Sequence, residues 1–136
     1  MSADAPKPAP RPTPETEAYW EGCRAGEIRL QRCGECAQVQ FPPRRFCSGC
    51  LGVSLTWEPA SGRGKVRSYS VVRHPISPAF ASDVPYVVAL IELDEGPTMM
   101  AGVRGCAIDD VSIGLPVAVE FEERSEAIHL PYFHPR

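Results

Sequence analysis

Two tight cysteine pairs, followed by five short strands with period-two alternation, predict a mainly β chain. The expected order is an N-terminal helix, a rubredoxin-like zinc ribbon and a five-stranded OB-fold barrel. Across the 136 residues the expected boundaries are a disordered proline-rich tail over 1–14, the helix over 15–27, the ribbon over 28–56 and the barrel over 57–136.

The cysteines come first because their spacing is the most specific signal. Cys33-Gly-Glu-Cys36 and Cys47-Ser-Gly-Cys50 each place two thiols on one turn. Cys33, Cys36, Cys47 and Cys50 therefore supply the four sulfurs of a closed tetrahedral zinc site, with no corner left for water or substrate. Such an ion is structural, and function must be sought elsewhere. The ten residues between the pairs, 37–46, are fewer than the usual ribbon spacing. The stretch Gln38-Val39-Gln40-Phe41-Pro42-Pro43 still allows a small hairpin with one pair at each end. Iron remains open beside zinc, because four thiolates suit both. Two disulfides in a secreted domain are disfavoured, since the N-terminus lacks an apolar signal core. A redox pair is disfavoured because no strand precedes it in a βαβ pattern. Cys23 and Cys106 lie outside the spacing and read as reduced thiols of a cytoplasmic protein. No motif marks Cys106 as a nucleophile.

Composition narrows the classes. A net charge of −3 with 14 Lys and Arg presents no dominant basic face, which argues against nucleic acid as the main partner. No apolar run is long enough to span a membrane. Five of the fifteen prolines stand at positions 6, 8, 10, 12 and 14. They remove every second backbone donor, so this segment is expected to be solvated and semi-extended, a linker rather than a proline-motif ligand.

The helix follows. Thr16 is expected to cap it, Glu15 and Glu17 suit the positive end of its dipole, and Gly26 is a plausible stop. Tyr19 and Trp20 are adjacent and cannot share one helix face. Either one packs on the body and leaves the other for a ligand or partner, or both rings fold onto the ribbon. Arg44 and Arg45 sit between the cysteine pairs, either solvated or available to a phosphate.

The remaining chain reads as strands and turns. Gly62-Arg63-Gly64 marks a turn or bulge, and Lys65–Val72 alternates polar with apolar. Tyr86–Leu93 is a nearly continuous apolar run; Asp94-Glu95-Gly96 turns it back into Thr98–Val103. Gly114-Leu115-Pro116 opens Val117–Glu122, a turn is expected at Ile108-Asp109-Asp110, and a last short strand is expected over Ala127–Leu130. Five strands of this size suit a small closed barrel, which leaves no open sheet edge. The connection from His74 to Pro85 carries Ile76, Ala79, Phe80 and Ala81, which either pack on the barrel or meet a partner.

This ordered set resembles domain-of-unknown-function family 35, the acyl-CoA-associated zinc-ribbon/OB-fold proteins. The resemblance runs from Ala18 to Pro135. It is carried by Tyr19-Trp20, the cysteine pairs around Phe41-Pro42-Pro43, Ser61–Val66, Pro85–Gly96, Gly114–Val117 and Phe133-His134-Pro135. Ala37 stands where glycine is usual and Ser48 where proline is common. The resemblance implies a non-catalytic accessory subunit that binds a thiolase-fold partner (thiolase, aldolase or synthase) or a hot-dog-fold enoyl-CoA hydratase. In such complexes the ribbon and barrel help form the site for a coenzyme A thioester, while the partner carries the chemistry.

The residues agree with that reading. There is no Ser/His/Asp order, glycine-rich phosphate loop or carboxylate pair with a reason to differ in pKa. His74, His129 and His134 have no ligand partner at i+3 or i+4, and Glu92, Asp94 and Glu95 read as a solvated acidic turn. Trp20, Arg44, Arg45 and Phe80 are the candidates for ligand or partner contact. An OB-fold nucleic-acid module, using Tyr69 and Tyr86 with Arg63, Lys65 and Arg67, is the second class, and a metalloenzyme or electron carrier on the four thiolates is the third. Replacing Cys36 or Cys47 should unfold the ribbon and disrupt partner binding. Stoichiometric zinc and an unchanged melting curve in either variant would count against the metal reading.

Overall fold

The computed structural model describes residues 6–136, and the first five residues of the expected tail lie outside it. From Pro6 to Thr13 the backbone is neither helix nor strand, as its missing donors demand. The segment nevertheless touches the body. Lys7 pairs with Asp83 at 2.6 Å, and Arg124 donates to the Pro8 carbonyl.

The helix α1 (Glu17–Arg24) starts from Thr16, but the expected side-chain cap is not made. The Thr16 hydroxyl instead accepts the Thr13 N–H at 2.8 Å, because a tight turn over 13–16 claims it. At the other end Gly26 takes φ 86°. Glu27 N–H reaches back to the Gly22 carbonyl and Gly26 N–H to that of Cys23. That pattern is a Schellman stop, which a residue lacking Cβ favours.

The ribbon is a three-stranded antiparallel sheet of β1 (Arg29–Cys33), β2 (Val39–Gln40) and β3 (Leu55–Pro59) in the order β2-β1-β3. β3 spans the expected ribbon–barrel junction and pairs along the whole of β1.

The barrel is formed by β4 (Arg63–Val72), β5 (Tyr86–Leu93), β6 (Thr98–Val103), β7 (Pro116–Glu123) and β8 (His129–Pro135). It closes in the order β4-β5-β6-β8-β7. Only β6 and β8 run parallel. The ladder between β4 and β5 skips Arg67, a bulge that bends the long strand round the barrel. The apolar run of β5 resolves into strict alternation: Val87, Ala89, Ile91 and Leu93 are buried, whereas Leu90 faces out. Short 3₁₀ turns cover Pro78–Phe80 and Ile108–Asp110.

The last strand corrects the sequence-based expectation. It runs to Pro135 rather than stopping at Leu130. Pro131 and Pro135 read as breakers, yet β6 pairs with β8 only at Tyr132 and Phe133. Both prolines stand in the antiparallel ladder with β7, opposite Phe121 and Val117, but outside the short ladder with β6, so their missing donors cost little on that side.

One core serves both units. Val66, Ile91, Val117 and Phe133 fill the barrel, and Ile28 and Leu30 from the ribbon join the same cluster. A barrel this small has little core of its own. Leu30→Ala should therefore destabilise the whole chain by about 2–5 kcal/mol. Trp20 and Trp57 lie in the helix and ribbon, whereas backbone circular dichroism is dominated by the barrel. Both signals should fall together at the lower midpoint, and separate transitions would show that the core is not shared.

Candidate metal centre and flanking cavities

The four cysteine sulfurs lie within 4.8 Å of one another. Cys33 and Cys50 are 3.6 Å apart, as are Cys36 and Cys47. A tetrahedron of zinc–thiolate bonds of about 2.3 Å has edges of about 3.8 Å, so the donors fit the ion. All six cysteines are unlinked.

The two pairs repeat one local geometry. In the first, Ala37 N–H bonds to the Cys33 carbonyl, and Glu35 N–H points at the Cys33 sulfur at 3.3 Å. In the second, Leu51 N–H bonds to the Cys47 carbonyl, and Gly49 N–H points at the Cys47 sulfur at 3.3 Å. The amides of Cys50 and Gly49 pull the Cys47 thiol down to about 7. Against the pull of the Gly52 amide, crowding by neighbouring sulfurs pushes Cys50 up to about 12, so a cation is what would hold all four as thiolates.

Each knuckle then turns through a left-handed residue: Ala37 and Leu51 both have φ 66°. The glycine usual at position 37 is thus a geometric requirement that Ala37 meets under strain.

Two buried glutamines, which the sequence did not single out, position the loop between the pairs. Gln40 donates to Gln31 Oε1 at 2.8 Å. Gln31 accepts the Arg44 N–H and donates to the Arg44 carbonyl, both at 2.9 Å. Gln40 also accepts the Ser48 N–H at 2.8 Å. Two glutamines on short strands look like solvated polar residues. Only the register that sets Gln31 opposite Gln40 reveals the network.

The candidate contact residues fall into separate places. Arg44 and Arg45 are exposed on the ribbon loop, and Arg45 pairs with Glu15. Tyr19 is buried, 5.5 Å from the Phe41 ring and 5.0 Å from Trp20. Burial pushes its phenol well above its ordinary range and raises Cys23 to about 11, which leaves Cys23 an inert thiol.

Trp20 lines a shallow cavity of about 340 Å³ with Met100 and Tyr132. Phe80 lines a larger one of about 660 Å³ with Val87, Val103, Ile108, Val111 and half-buried Cys106. Gly102 and Tyr132 belong to both walls. A Cβ on Gly102 would sit 2.8 Å from the Tyr132 ring, so only glycine lets that ring lie across β6. Arg104 lies over the ring, its guanidinium carbon 3.3 Å from the centroid. Arg104 and Arg124 bind Glu122 from two sides at 2.9 and 3.0 Å and hold its carboxyl below the usual carboxylate range.

Of the expected acidic turn, Glu95 is not simply solvated. It accepts the Ser61 N–H at 2.8 Å and braces the turn before β4. His74 lies on the connection after β4, and His129 and His134 near the two ends of β8. Among the described residues no helix is long and apolar enough to cross a membrane.

A closed five-stranded barrel behind a four-thiolate ribbon defines a zinc-ribbon/OB-fold protein. Residues 20–56 match the rubredoxin-like zinc ribbon domain of ChsH2, and residues 57–122 match the C-terminal OB-fold domain of ChsH2. The chain belongs to this family, also designated DUF35. A probable enoyl-CoA hydratase alpha subunit of Thermomonospora curvata is 38% identical over 128 residues. The match covers 93% of this chain but only 40% of that relative, so the chain spans well under half of its length. A DUF35 domain-containing scaffold protein of Methanocaldococcus jannaschii is 40% identical over 96 residues, covering 70% of this chain and 67% of that one. Among solved structures, the "Ltp2-ChsH2(DUF35) aldolase" aligns with a TM-score of 0.83 and 35% identity, covering 93% of this chain and 98% of that one.

Glycine at position 37 would relieve the left-handed strain. Ala37→Gly should stabilise the zinc-loaded chain by about 1 kcal/mol in urea unfolding, because a Cβ is disfavoured at that φ. A destabilised variant would show that the knuckle does not hold this conformation.

Proposed function

We propose that this chain is a non-catalytic accessory subunit that docks on a thiolase-fold enzyme and helps form the site for a coenzyme A thioester. The observation that carries this reading is the match over nearly the whole of a DUF35 chain in a structure titled as an aldolase. The relative named as a scaffold protein points the same way. The local chemistry agrees: a four-thiolate site is coordinatively closed once filled, so the ion stiffens the ribbon and supplies no open position for a reacting group. The ribbon then presents exposed Phe46, Leu51 and Val53, and the barrel presents exposed Met100. Apolar side chains on a surface of this kind suit burial against a partner. In this reading Trp20 and Phe80 meet the partner or the acyl group from the two sides of Tyr132, and Arg44 and Arg45 meet its anionic part.

A second reading is favoured by one observation, the relative named as an enoyl-CoA hydratase alpha subunit. There the partner is a hot-dog-fold hydratase and the role of this chain is unchanged.

A tagged copy purified from its native source, in the zinc-loaded form, should bring down one enzyme in stoichiometric amount. A thiolase-fold protein supports the first reading and a hydratase the second. Turnover of an acyl-CoA by the isolated chain at ordinary enzymatic rates would overturn both.

A further inference from the structure

The proline-rich segment has a place on the barrel that its composition does not explain. Lys7 reaches the loop that carries one wall of the larger cavity: its ammonium lies 2.6 Å from Asp83 and 5.6 Å from the centre of the Phe80 ring. Lys7 is thereby part of the cavity wall. One residue on, Arg124 donates to the Pro8 carbonyl at 3.1 Å. Further along, Glu15 pairs with Arg45 on the ribbon loop. The segment thus runs from the cavity mouth past the β7–β8 turn to the ribbon.

Of these anchors, the one at the cavity is weak. Among the described residues, none from 6 to 12 exchanges a backbone–backbone hydrogen bond with the barrel. The Lys7–Asp83 pair is partly exposed, with side chains 32% and 38% accessible. Pairs of that kind are marginal and screened by salt. Alternating prolines keep the segment extended even when it is free, so it loses little conformational entropy on docking. A weak latch on a pre-extended segment describes a contact that opens and closes readily.

The cavity beneath has the character of a binding site. At about 660 Å³ it lies within the range of small-molecule pockets. Phe80 and Ile108 supply apolar wall over the buried Val87, Val103 and Val111. Lys7, Ser82, Asp83, Arg104 and Glu122 make the rest of the lining polar. The rim charges are already engaged within the chain: Lys7 holds Asp83, and Arg104 and Arg124 share Glu122. A charged entrant would have to break one of these pairs, whereas an uncharged apolar one would not.

We propose that residues 6–12 form a displaceable strap over this cavity, that Lys7 is its latch, and that releasing the latch admits a neutral apolar ligand. This goes beyond the accessory-subunit reading, which also uses Phe80, and it is measured on the isolated chain, so either can fail without the other. The test titrates the neutral fluorophore N-phenyl-1-naphthylamine into zinc-loaded, full-length protein. At low salt, Lys7→Gln and Asp83→Asn should each bind the probe about three- to tenfold more tightly than the unaltered chain, since each removes the ion pair. Raising the salt from about 20 to about 500 mM should tighten binding to the unaltered chain and leave Lys7→Gln unmoved. Ser82→Trp, an exposed position on the cavity wall, should block the probe in every background and so locate it. Equal affinities for the unaltered chain and Lys7→Gln at low salt would overturn the strap. A Lys7→Gln chain that takes up no probe, or binding that survives Ser82→Trp, would overturn the cavity as the site.

Discussion

Bringing four thiolates onto one ion is the constraint from which the ribbon follows. Two chain reversals, neither stable alone, are held at a fixed separation by sulfurs that must sit on the corners of one tetrahedron. That separation lets β1 take β2 on one side and β3 on the other. It also tolerates costs that a free loop would shed, notably two left-handed residues with side chains, Ala37 and Leu51. Strain of this kind persists only where the surroundings overdetermine the backbone.

The metal's influence does not end at the ribbon. β1 carries Leu30 into the barrel core, and Ile28 enters just ahead of it. The buried glutamines carry the order in the other direction, from the strands to the loop bearing Arg44 and Arg45. A small barrel and a small ribbon, each short of apolar burial, become one folding unit by sharing those side chains. Anything that docks on the ribbon therefore meets a surface whose geometry the ion and the barrel set together.

The barrel face near β8 shows how packing can create a site that no motif announces. Gly102 removes a side chain, Tyr132 fills the gap with its ring, and Arg104 lies over that ring and is held by Glu122. The result is a rigid divider between two cavities, with Trp20 on one side and Phe80 on the other. Residues far apart in the chain become neighbours because β8 returns between β6 and β7.

Read without a structure, the residues settle the local chemistry. Cysteine spacing names the ligands, period-two alternation names most of the strands, and Gly26 ends the helix, because each of these follows from bonds a few residues long. What they leave open depends on contacts across the chain. The length of β8 was hidden because Pro131 and Pro135 are judged by the donors they lack, while the need for those donors is set by β6. Gln31 and Gln40 look solvated until register pairs them. The proline segment reads as a free tail until Asp83 and Arg124, from two distant loops, come within reach. Spacing along the backbone determines which atoms can bind a metal or turn a corner; only folding in three dimensions decides which side chains lose water together, and that loss assigns their roles.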